Sequence, residues 1–203
     1  MTGAAAFWGI AALIAAYLFS AIPFGYLLIR FRTGSDIRSE GSGNIGATNV
    51  VRVGGKGAGL LTLCLDMAKG LASVALARTI MNGDPYFCAG AAFCAVLGHC
   101  YPVYLKFRGG KGIATGCGAY AILAPLPMAL ALGVFGLALL LTRMVSVGSI
   151  CAGLALPLLV WWLIPDTALL ISVIAAALLA ITRHRPNIVR IIHGAEHRVD
   201  GGA

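Results

Sequence analysis

The feature that most constrains this chain is a succession of long apolar runs separated by short polar segments. Sixty per cent of the 203 residues are hydrophobic, 11% are charged, and the mean hydropathy is +0.92. This composition is typical of integral membrane proteins and excludes an ordinary water-soluble domain. We therefore expect an all-α integral membrane helical bundle that forms a single domain over residues 1–203. Because a crossing helix requires about 20 apolar residues, the runs predict seven spans, at about 4–29, 57–80, 86–105, 112–124, 128–142, 147–163 and 167–182.

Basic residues are concentrated in alternate connections between these predicted spans. The segments 30–56 and 106–111, Arg143 and the tail after 182 together hold 13 of the 15 lysines and arginines. The positive-inside rule places these segments in the cytoplasm. We therefore expect the amino terminus outside and the carboxyl terminus inside. Topology and anionic ligands account for the net charge of +8, so nucleic acid is not expected as a partner.

The polar segment 40–56 reads EGSGNIGATNVVRVGGK and stands apart from the apolar pattern. Its five glycines allow backbone N–H groups to approach a ligand closely. Neutral donors and acceptors combined with two cations suit an anion such as phosphate. The alternative is an ordinary loop between membrane helices, which would not require so many distinct donors. The candidate ligand-binding residues of this segment are Ser42, Asn44, Thr48, Asn49, Arg52 and Lys56.

A second motif, RGGKG at 108–112, lies where a new span is predicted to begin. Its glycines favour a nest of N–H groups, the helix amino terminus adds positive potential, and Lys111 adds a full charge. The spacing is not that of a Walker A loop. A related GGKG occurs at 54–57, before the second span. The alternative for both is that basic residues snorkel at the membrane interface.

A third group of polar residues follows the last predicted span. His184 and Asn187 are one helical turn apart and are therefore expected to face one ligand. Histidine exchanges protons near neutral pH, and asparagine orients a hydroxyl. His193 and His197 lack a third metal ligand, and none of the six cysteines forms a CxxC pair, so neither a metal site nor a disulfide framework is expected. His99 is predicted to be structural.

Two charged residues, Asp66 and Lys69, fall inside the second predicted span. They are three residues apart and so share a helix face, which must point into the bundle because charge facing lipid is costly. They form either an ion pair that anchors the span or a relay for protons or substrate.

Together the three motifs resemble the bacterial membrane acyl-phosphate:glycerol-3-phosphate acyltransferase family. The resemblance covers about 40–198 and is carried by GSGNIGATNVVRVGGKGAG with downstream DMAKG, by GHCYPVYLKFRGGKGIATG, and by RHRPNI with the distal Glu196. It implies a seven-span enzyme that transfers an acyl chain from acyl phosphate to the 1-hydroxyl of glycerol 3-phosphate. The implied products are lysophosphatidic acid and inorganic phosphate, with no direct use of acyl-CoA or acyl carrier protein. Because acyl phosphate is already activated, no cofactor is expected.

The resemblance also implies which residues form the site. Catalytic roles are expected for Ser42, Arg52, Lys111, His184 and Asn187. Binding roles are expected for Gly109, Gly110, Gly112, Ser149 and Glu196, in addition to Asn44, Thr48, Asn49 and Lys56 of the first motif. Pro186 departs from the usual pattern of the third motif and restricts the local backbone. The proton of the attacking hydroxyl has two candidate acceptors, His184 and the substrate's own phosphate.

A transporter of phosphate esters is the alternative function, because it also requires basic sites among membrane helices. Transporters usually show internal repeats and polar groups near the bilayer midplane, whereas here the polar groups cluster on one predicted face. A membrane scaffold would leave Ser42, His184 and Asn187 unexplained. The expected partners are therefore acyl phosphate, glycerol 3-phosphate and membrane lipid. The expected location is the bacterial inner membrane, with the active site facing the cytoplasm.

Overall fold

The computed structural model describes residues 3–199, and within that range the regular structure is entirely helical. The predicted all-α class is therefore confirmed. Residues 1, 2 and 200–203 of the predicted single domain lie outside the described range. The α-helices, in chain order, are α1 Gly3–Ser20, α2 Phe24–Thr33, α3 Ala47–Ile80, α4 Pro85–Cys100, α5 Ile113–Leu123, α6 Pro125–Thr142, α7 Val145–Leu163, α8 Thr167–Arg183 and α9 Arg185–Ile192.

Several of these helices are long and apolar enough to cross a membrane. Among the described residues there are five such stretches, namely Gly3–Thr33, Ala47–Ile80, Pro85–Leu105, Pro125–Thr142 and Val145–Leu163. Helices α8 and α9, bent by 55°, make a sixth if they are counted together. At 1.5 Å per residue, the 11 residues of α5 reach only about 16 Å, against about 30 Å of hydrocarbon core. The membrane bundle is confirmed, and the count of seven crossings stays a prediction.

The outer surface of the bundle is apolar, as a lipid-facing surface must be. Large hydrophobic side chains of α6 and α7 are well exposed, including Leu140, Leu141, Trp161 and Trp162. Such a contiguous exposed apolar surface is unusual for a soluble monomer. It is consistent with tryptophans lying at a membrane interface.

Two predicted boundaries shift at points where the backbone breaks. Helix α3 begins at Ala47, so the second half of the polar segment 40–56 is helical and not a loop. The break comes at Gly55, whose φ of 84° and ψ of 170° are readily accessible only to glycine. The membrane part of α3 then starts near the predicted position 57. Similarly, the predicted first span at 4–29 is two helices, separated at Pro23, because proline lacks the N–H that would continue the helix.

Small residues bring α3 and α5 into backbone contact. A Cβ atom at Gly70 would collide with the carbonyl oxygen of Thr115, and one at Gly118 would collide with the carbonyl oxygen of Met67. Close approach at glycines is how membrane helices gain packing contacts. Short as it is, α5 is therefore held firmly against α3, and its first turn is fixed relative to the polar motifs.

The buried pair inside α3 ties this helix to the break between α1 and α2. The Nζ atom of Lys69 lies 2.9 Å from Oδ1 of Asp66, and both side chains are almost fully buried. Nζ also donates a hydrogen bond to the carbonyl oxygen of Ile22, at 2.9 Å. This geometry agrees with the anchoring interpretation of the pair.

Candidate active site

The three polar motifs converge on one cavity of about 320 Å³, here named the active-site cavity. Eleven of the fourteen predicted site residues line it, and the exceptions are Lys56, Gly109 and Gly110. The eleven come from the segment before α3, the first turns of α3, the start of α5, the start of α7 and the region after α8. Residues that are up to 154 positions apart in the chain therefore share one concave surface. The eleven predicted residues among its lining are Ser42, Asn44, Thr48, Asn49, Arg52, Lys111, Gly112, Ser149, His184, Asn187 and Glu196.

Asn49 shapes the first motif from inside. It is buried, and its Oδ1 accepts a hydrogen bond from the N–H of Ser42 at 2.8 Å. Its Nδ2 donates to the carbonyl oxygens of Asn44 at 2.9 Å and Glu40 at 3.0 Å. The side chain thus folds the loop back onto α3 and holds Ser42 at the rim of the cavity. Asn49 therefore positions the loop, and its predicted role in substrate binding stays a prediction.

Arg52 is available to bind a ligand. It lies one turn after Thr48, in the part of α3 that precedes the break at Gly55. Its side chain is exposed at the cavity and forms no ion pair with any other residue of the described chain. A guanidinium group carries five donors in a planar fork, which matches two oxygens of a phosphate group.

Arg183 and His99 hold the loop of the second motif from two sides. This loop, residues 108–112, is here named the glycine loop. Nε and Nη2 of Arg183 donate to the carbonyl oxygens of Gly110 at 3.0 Å and Gly109 at 2.7 Å. The N–H of Gly110 donates to the backbone carbonyl oxygen of His99 at 3.0 Å. The carbonyl oxygens of both glycines and the N–H of Gly110 are therefore engaged within the protein, so Gly110 does not offer its N–H to the predicted nest.

In the described chain, the part of the loop with consecutive free N–H groups begins at Lys111, one residue after Gly110. The N–H and C=O of a peptide group point in opposite directions, so Arg183, by holding the carbonyl of Gly110, turns the N–H of Lys111 away from itself. Within residues 3–199, the N–H groups of Lys111 and Gly112 have no protein acceptor. Gly112 has a φ of 80°, which requires glycine, and it leads directly into the amino terminus of α5. Free N–H groups at a helix amino terminus suit an anion.

The third motif is organised by a buried carboxylate. Oε1 of Glu196 accepts hydrogen bonds from Nδ2 of Asn187 at 2.7 Å and from Oγ of Ser146 at 2.9 Å. Its Oε2 accepts from Nε of Arg190 at 2.7 Å. Burial alone would raise the pKa of Glu196, but these three hydrogen bonds hold it below the ordinary value. Glu196 therefore acts as an ionised anchor that orients Asn187.

The ring of His184 is fixed by the preceding helix. Its Nδ1 lies 2.7 Å from the carbonyl oxygen of Ala180, and since a carbonyl only accepts, Nδ1 carries the proton. In the neutral ring this leaves Nε2 as an acceptor. Ser149, on α7, lines the same cavity and donates to the carbonyl of Val145 at 2.9 Å.

Lys111 lies in a strongly positive environment. Burial lowers its pKa to about 8, and Arg190, Arg52 and Arg183 act in the same direction, with partial opposition from Glu196. An anion bound among these cations would relieve their mutual repulsion. The electrostatics of the cavity thus favour a phosphate group.

An apolar groove continues from the cavity into the bundle. It has a volume of about 80 Å³ and shares Ile113, Cys117, Leu132 and Phe135 with the active-site cavity. Its deeper walls come from α6, α7 and α8, including Leu156 and other aliphatic side chains. A ligand with a charged head and an apolar tail fits this pair of spaces.

Comparisons with known proteins agree with this geometry. A family model described as "Glycerol-3-phosphate acyltransferase" matches residues 10–194. The chain belongs to the glycerol-3-phosphate acyltransferase family. The family predicted from the motifs is therefore confirmed.

Relatives and solved structures show the same membership. The glycerol-3-phosphate acyltransferase of Syntrophotalea carbinolica is 49% identical over 187 residues, covering 92% of this chain and 95% of the relative. That of Endomicrobium trichonymphae is 45% identical over 187 residues, covering 92% and 94%. The crystal structure of the integral membrane glycerol 3-phosphate acyltransferase PlsY (YgiH), in its glycerol 3-phosphate form, is 36% identical. It covers 94% of both chains, with a TM-score of 0.89. The lysophosphatidic acid form of PlsY is 35% identical, also covers 94% of both chains, and has a TM-score of 0.86.

Three residues of this acyltransferase site were not selected from the sequence. Ser146 and Arg190 bind Glu196, and Arg183 holds the glycine loop. Arg190 is three residues after Asn187, so helical spacing alone was a signal that both reach one partner. Lys56, in contrast, was predicted to bind phosphate but is exposed beyond the break at Gly55 and does not line the cavity.

A first prediction concerns the fit of the glycine loop in this acyltransferase. A Cβ atom at Gly110 would collide with Nε2 of His99, so Gly110→Ala must displace the loop that carries Lys111 or the buried His99 ring that packs against it. We expect kcat/KM to fall by roughly tenfold to 100-fold, because small misplacements of binding groups reduce rates by such factors. The matched control is Gly133→Ala on α6, which lines neither the active-site cavity nor the apolar groove and where nothing lies within 4 Å of the added Cβ. Steady-state kinetics that are equal for the two variants would show that the loop is only a turn.

A second prediction concerns pH. Because the pKa of Lys111 is about 8, its charge is lost as the pH rises above that value. We expect kcat/KM for glycerol 3-phosphate to fall on this alkaline side, since kcat/KM reports groups of the free enzyme. In Lys111→Arg the guanidinium stays charged, so the decline should move to higher pH. A pH profile that is identical for the two proteins would contradict the role of Lys111.

Proposed function

We propose that this protein transfers the acyl chain of an acyl phosphate to the 1-hydroxyl of glycerol 3-phosphate, giving lysophosphatidic acid and inorganic phosphate. The observation that carries the proposal is the continuity between a cationic cavity and an apolar groove. The cationic part, with Arg52 and Lys111, suits the phosphate groups of both substrates. The groove suits a fatty acyl tail that arrives from the bilayer. PlsY structures that are named for glycerol 3-phosphate and lysophosphatidic acid support the same acceptor and product here.

The reaction requires little covalent chemistry from the protein. The oxygen of the 1-hydroxyl attacks the acyl carbonyl carbon, the bond from that carbon to the bridging oxygen breaks, and phosphate leaves with the bonding electrons. Negative charge grows on the carbonyl oxygen and on the leaving phosphate. Arg52, Lys111 and the free N–H groups at the start of α5 are the donors that stabilise this charge.

Two groups at the site are able to take the hydroxyl proton. One is Nε2 of His184. This nitrogen is unprotonated in the neutral ring, because the ring proton lies on Nδ1 and is donated to the carbonyl of Ala180. The other is a phosphate oxygen of a substrate. Asn187, held by Glu196 through its Nδ2, keeps Oδ1 to orient the hydroxyl. Ser42 lies at the same cavity and supplies a further hydroxyl donor to the phosphate groups, whereas Ser149 would first have to release its hydrogen bond to Val145.

The experiment that tests this function compares acyl donors. Purified protein is supplied with glycerol 3-phosphate and either acyl phosphate, acyl-CoA or acyl carrier protein loaded with the same chain. We expect lysophosphatidic acid only with acyl phosphate. Product from acyl-CoA but not from acyl phosphate would overturn the choice of donor. Uptake of glycerol 3-phosphate into vesicles without any acylated product would instead favour the transporter alternative.

We further propose seven crossings of the bacterial inner membrane, with the amino terminus outside and the active-site cavity on the cytoplasmic side. The asymmetry of basic residues supports this orientation. In a cysteine-free background, a cysteine at Val199 should react with a membrane-impermeant reagent only after cells are permeabilised. A cysteine at Asn82, in the turn between α3 and α4, should react in intact cells. Labelling at position 199 in intact cells, with labelling at position 82 only after permeabilisation, would place the active-site cavity outside the cytoplasm and contradict this topology.

A further inference from the structure

A second cavity, here named the outer basic cavity, adjoins the active-site cavity. Its volume is about 720 Å³, larger than the 320 Å³ of the active-site cavity. Six cationic side chains line it against one carboxylate, that of Asp36. The six are Arg38, Arg108, Lys111, Arg183, Arg185 and Arg190.

Most of this positive charge is not neutralised by the protein. Arg38 is paired with Asp36 at 2.6 Å, and Arg190 is paired with Glu196 at 2.7 Å. Arg183 donates only to neutral carbonyl groups of the glycine loop. In the part of the chain that the structure describes, Arg108 and Arg185 form no ion pair, and both are exposed.

The two cavities share a wall. Ser42, Asn44, Lys111 and Asn187 line both of them. An anion in the outer basic cavity is therefore separated from the proposed reaction centre by single side chains. The apolar groove opens from the other part of the active-site cavity, around Leu132 and Phe135, which do not line the outer basic cavity.

We propose that the outer basic cavity is a separate binding site for a water-soluble phosphate monoester, through which glycerol 3-phosphate reaches the active-site cavity. The inference rests on the proposed function and adds that the two substrates enter the active-site cavity by different routes. The acyl phosphate enters along the apolar groove, because its tail requires apolar walls. A concave surface with excess charge of one sign raises the local concentration of the opposite ion. Glycerol 3-phosphate is small, carries two negative charges at neutral pH and has no apolar part that the groove could bind.

The test removes the two unpaired cations. In Arg108→Gln/Arg185→Gln, kcat/KM for glycerol 3-phosphate at low ionic strength should fall roughly tenfold, within the range of electrostatic steering. The kcat at saturating substrate and kcat/KM for acyl phosphate should stay unchanged, and the dependence of kcat/KM on salt should become shallower. The matched control is Arg32→Gln/Arg143→Gln, which removes the same charge from exposed positions outside both cavities and should behave as the unaltered protein.

Two outcomes would overturn the inference. One is equal kinetics and equal salt dependence for the double variant and its control. The other is a defect that appears only in vesicles containing phosphatidylglycerol and not in vesicles of phosphatidylcholine, because the cavity would then bind a lipid headgroup. Calorimetric titration with glycerol 3-phosphate should show weaker binding to the double variant than to its control. This measurement does not require turnover, so absence of lysophosphatidic acid from the unaltered protein would count against the proposed function alone.

Discussion

Replacing Arg52 by lysine is expected to lower kcat/KM by roughly 100-fold, the size of effect seen when one electrostatic group of a transition state is lost. Both residues are charged, so general attraction or membrane anchoring would survive the substitution. A guanidinium that grips two phosphate oxygens would not be replaced, because lysine lacks the planar fork. Arg52 has the geometry for such a role, since it lines the active-site cavity and has no ion-pair partner among residues 3–199.

The control for this variant is Arg32→Lys. Arg32 is exposed near the end of α2 and lines neither cavity. Arg38, another basic residue of the same connection, is unsuitable because its guanidinium makes several hydrogen bonds to Asp36 and lines the outer basic cavity. Near-normal turnover in both Arg52→Lys and Arg32→Lys would remove Arg52 from the active site.

Glu196→Gln is expected to cause a loss of similar size, through the residues that Glu196 orients. Its carboxylate accepts hydrogen bonds from Asn187, Ser146 and Arg190. A carboxamide replaces one acceptor oxygen by a donor, so at least one of these partners faces an N–H group, and the arginine loses its buried countercharge. At metal sites, altering a residue that supports a ligand lowers affinity or activity by about 10- to 100-fold. We expect a loss at the upper end of that range here.

The matched control is Glu40→Gln, the same chemical change at a glutamate whose side chain lines neither cavity. The informative readout is the separation of kcat from KM, together with thermal unfolding of the detergent-solubilised protein. A positioning role predicts a folded variant whose kcat/KM is reduced while Glu40→Gln stays normal. If the two variants turn over substrate equally well, the carboxylate does not orient Asn187 for the reaction.

The composition of the site could be predicted from the sequence because its residues carry unusual chemistry for a membrane chain. Ser42, Arg52, Lys111, His184 and Asn187 stand out as polar groups among apolar runs, and the structure brings all five to one cavity. Their roles in the reaction remain predictions. What the sequence conveyed was residue type and order along the chain, which suffice to nominate a site.

The partners of each backbone group could not be predicted in the same way. The N–H of Gly110 bonds to His99, and its carbonyl bonds to Arg183, across contacts between distant segments. A glycine-rich motif indicates close approach, but it does not say whether a ligand or a neighbouring helix approaches. For the same reason the sequence did not show that the amide of Asn49 shapes its own loop.

Prediction of the fold from the sequence has a similar limit. Apolar runs predicted the membrane helices well, but hydropathy averages over breaks in the backbone. It therefore missed the division of the first span at Pro23 and the helical turns before Gly55. It also gave no sign that the helix at the predicted crossing 112–124 is only 11 residues long, and that crossing stays a prediction. The bounds of α5 fall at Gly112, whose φ is 80°, and just before Pro125, where α6 begins.

The most direct test of the central claim follows the bridging oxygen of the donor. Acyl phosphate labelled with ¹⁸O between the acyl carbon and phosphorus is incubated with the purified protein and glycerol 3-phosphate, and the products are measured by mass spectrometry. Attack at the acyl carbonyl predicts unlabelled lysophosphatidic acid and an equal amount of phosphate that retains the ¹⁸O. Absence of lysophosphatidic acid, or ¹⁸O released in free fatty acid while glycerol 3-phosphate is unchanged, would contradict acyl transfer from acyl phosphate.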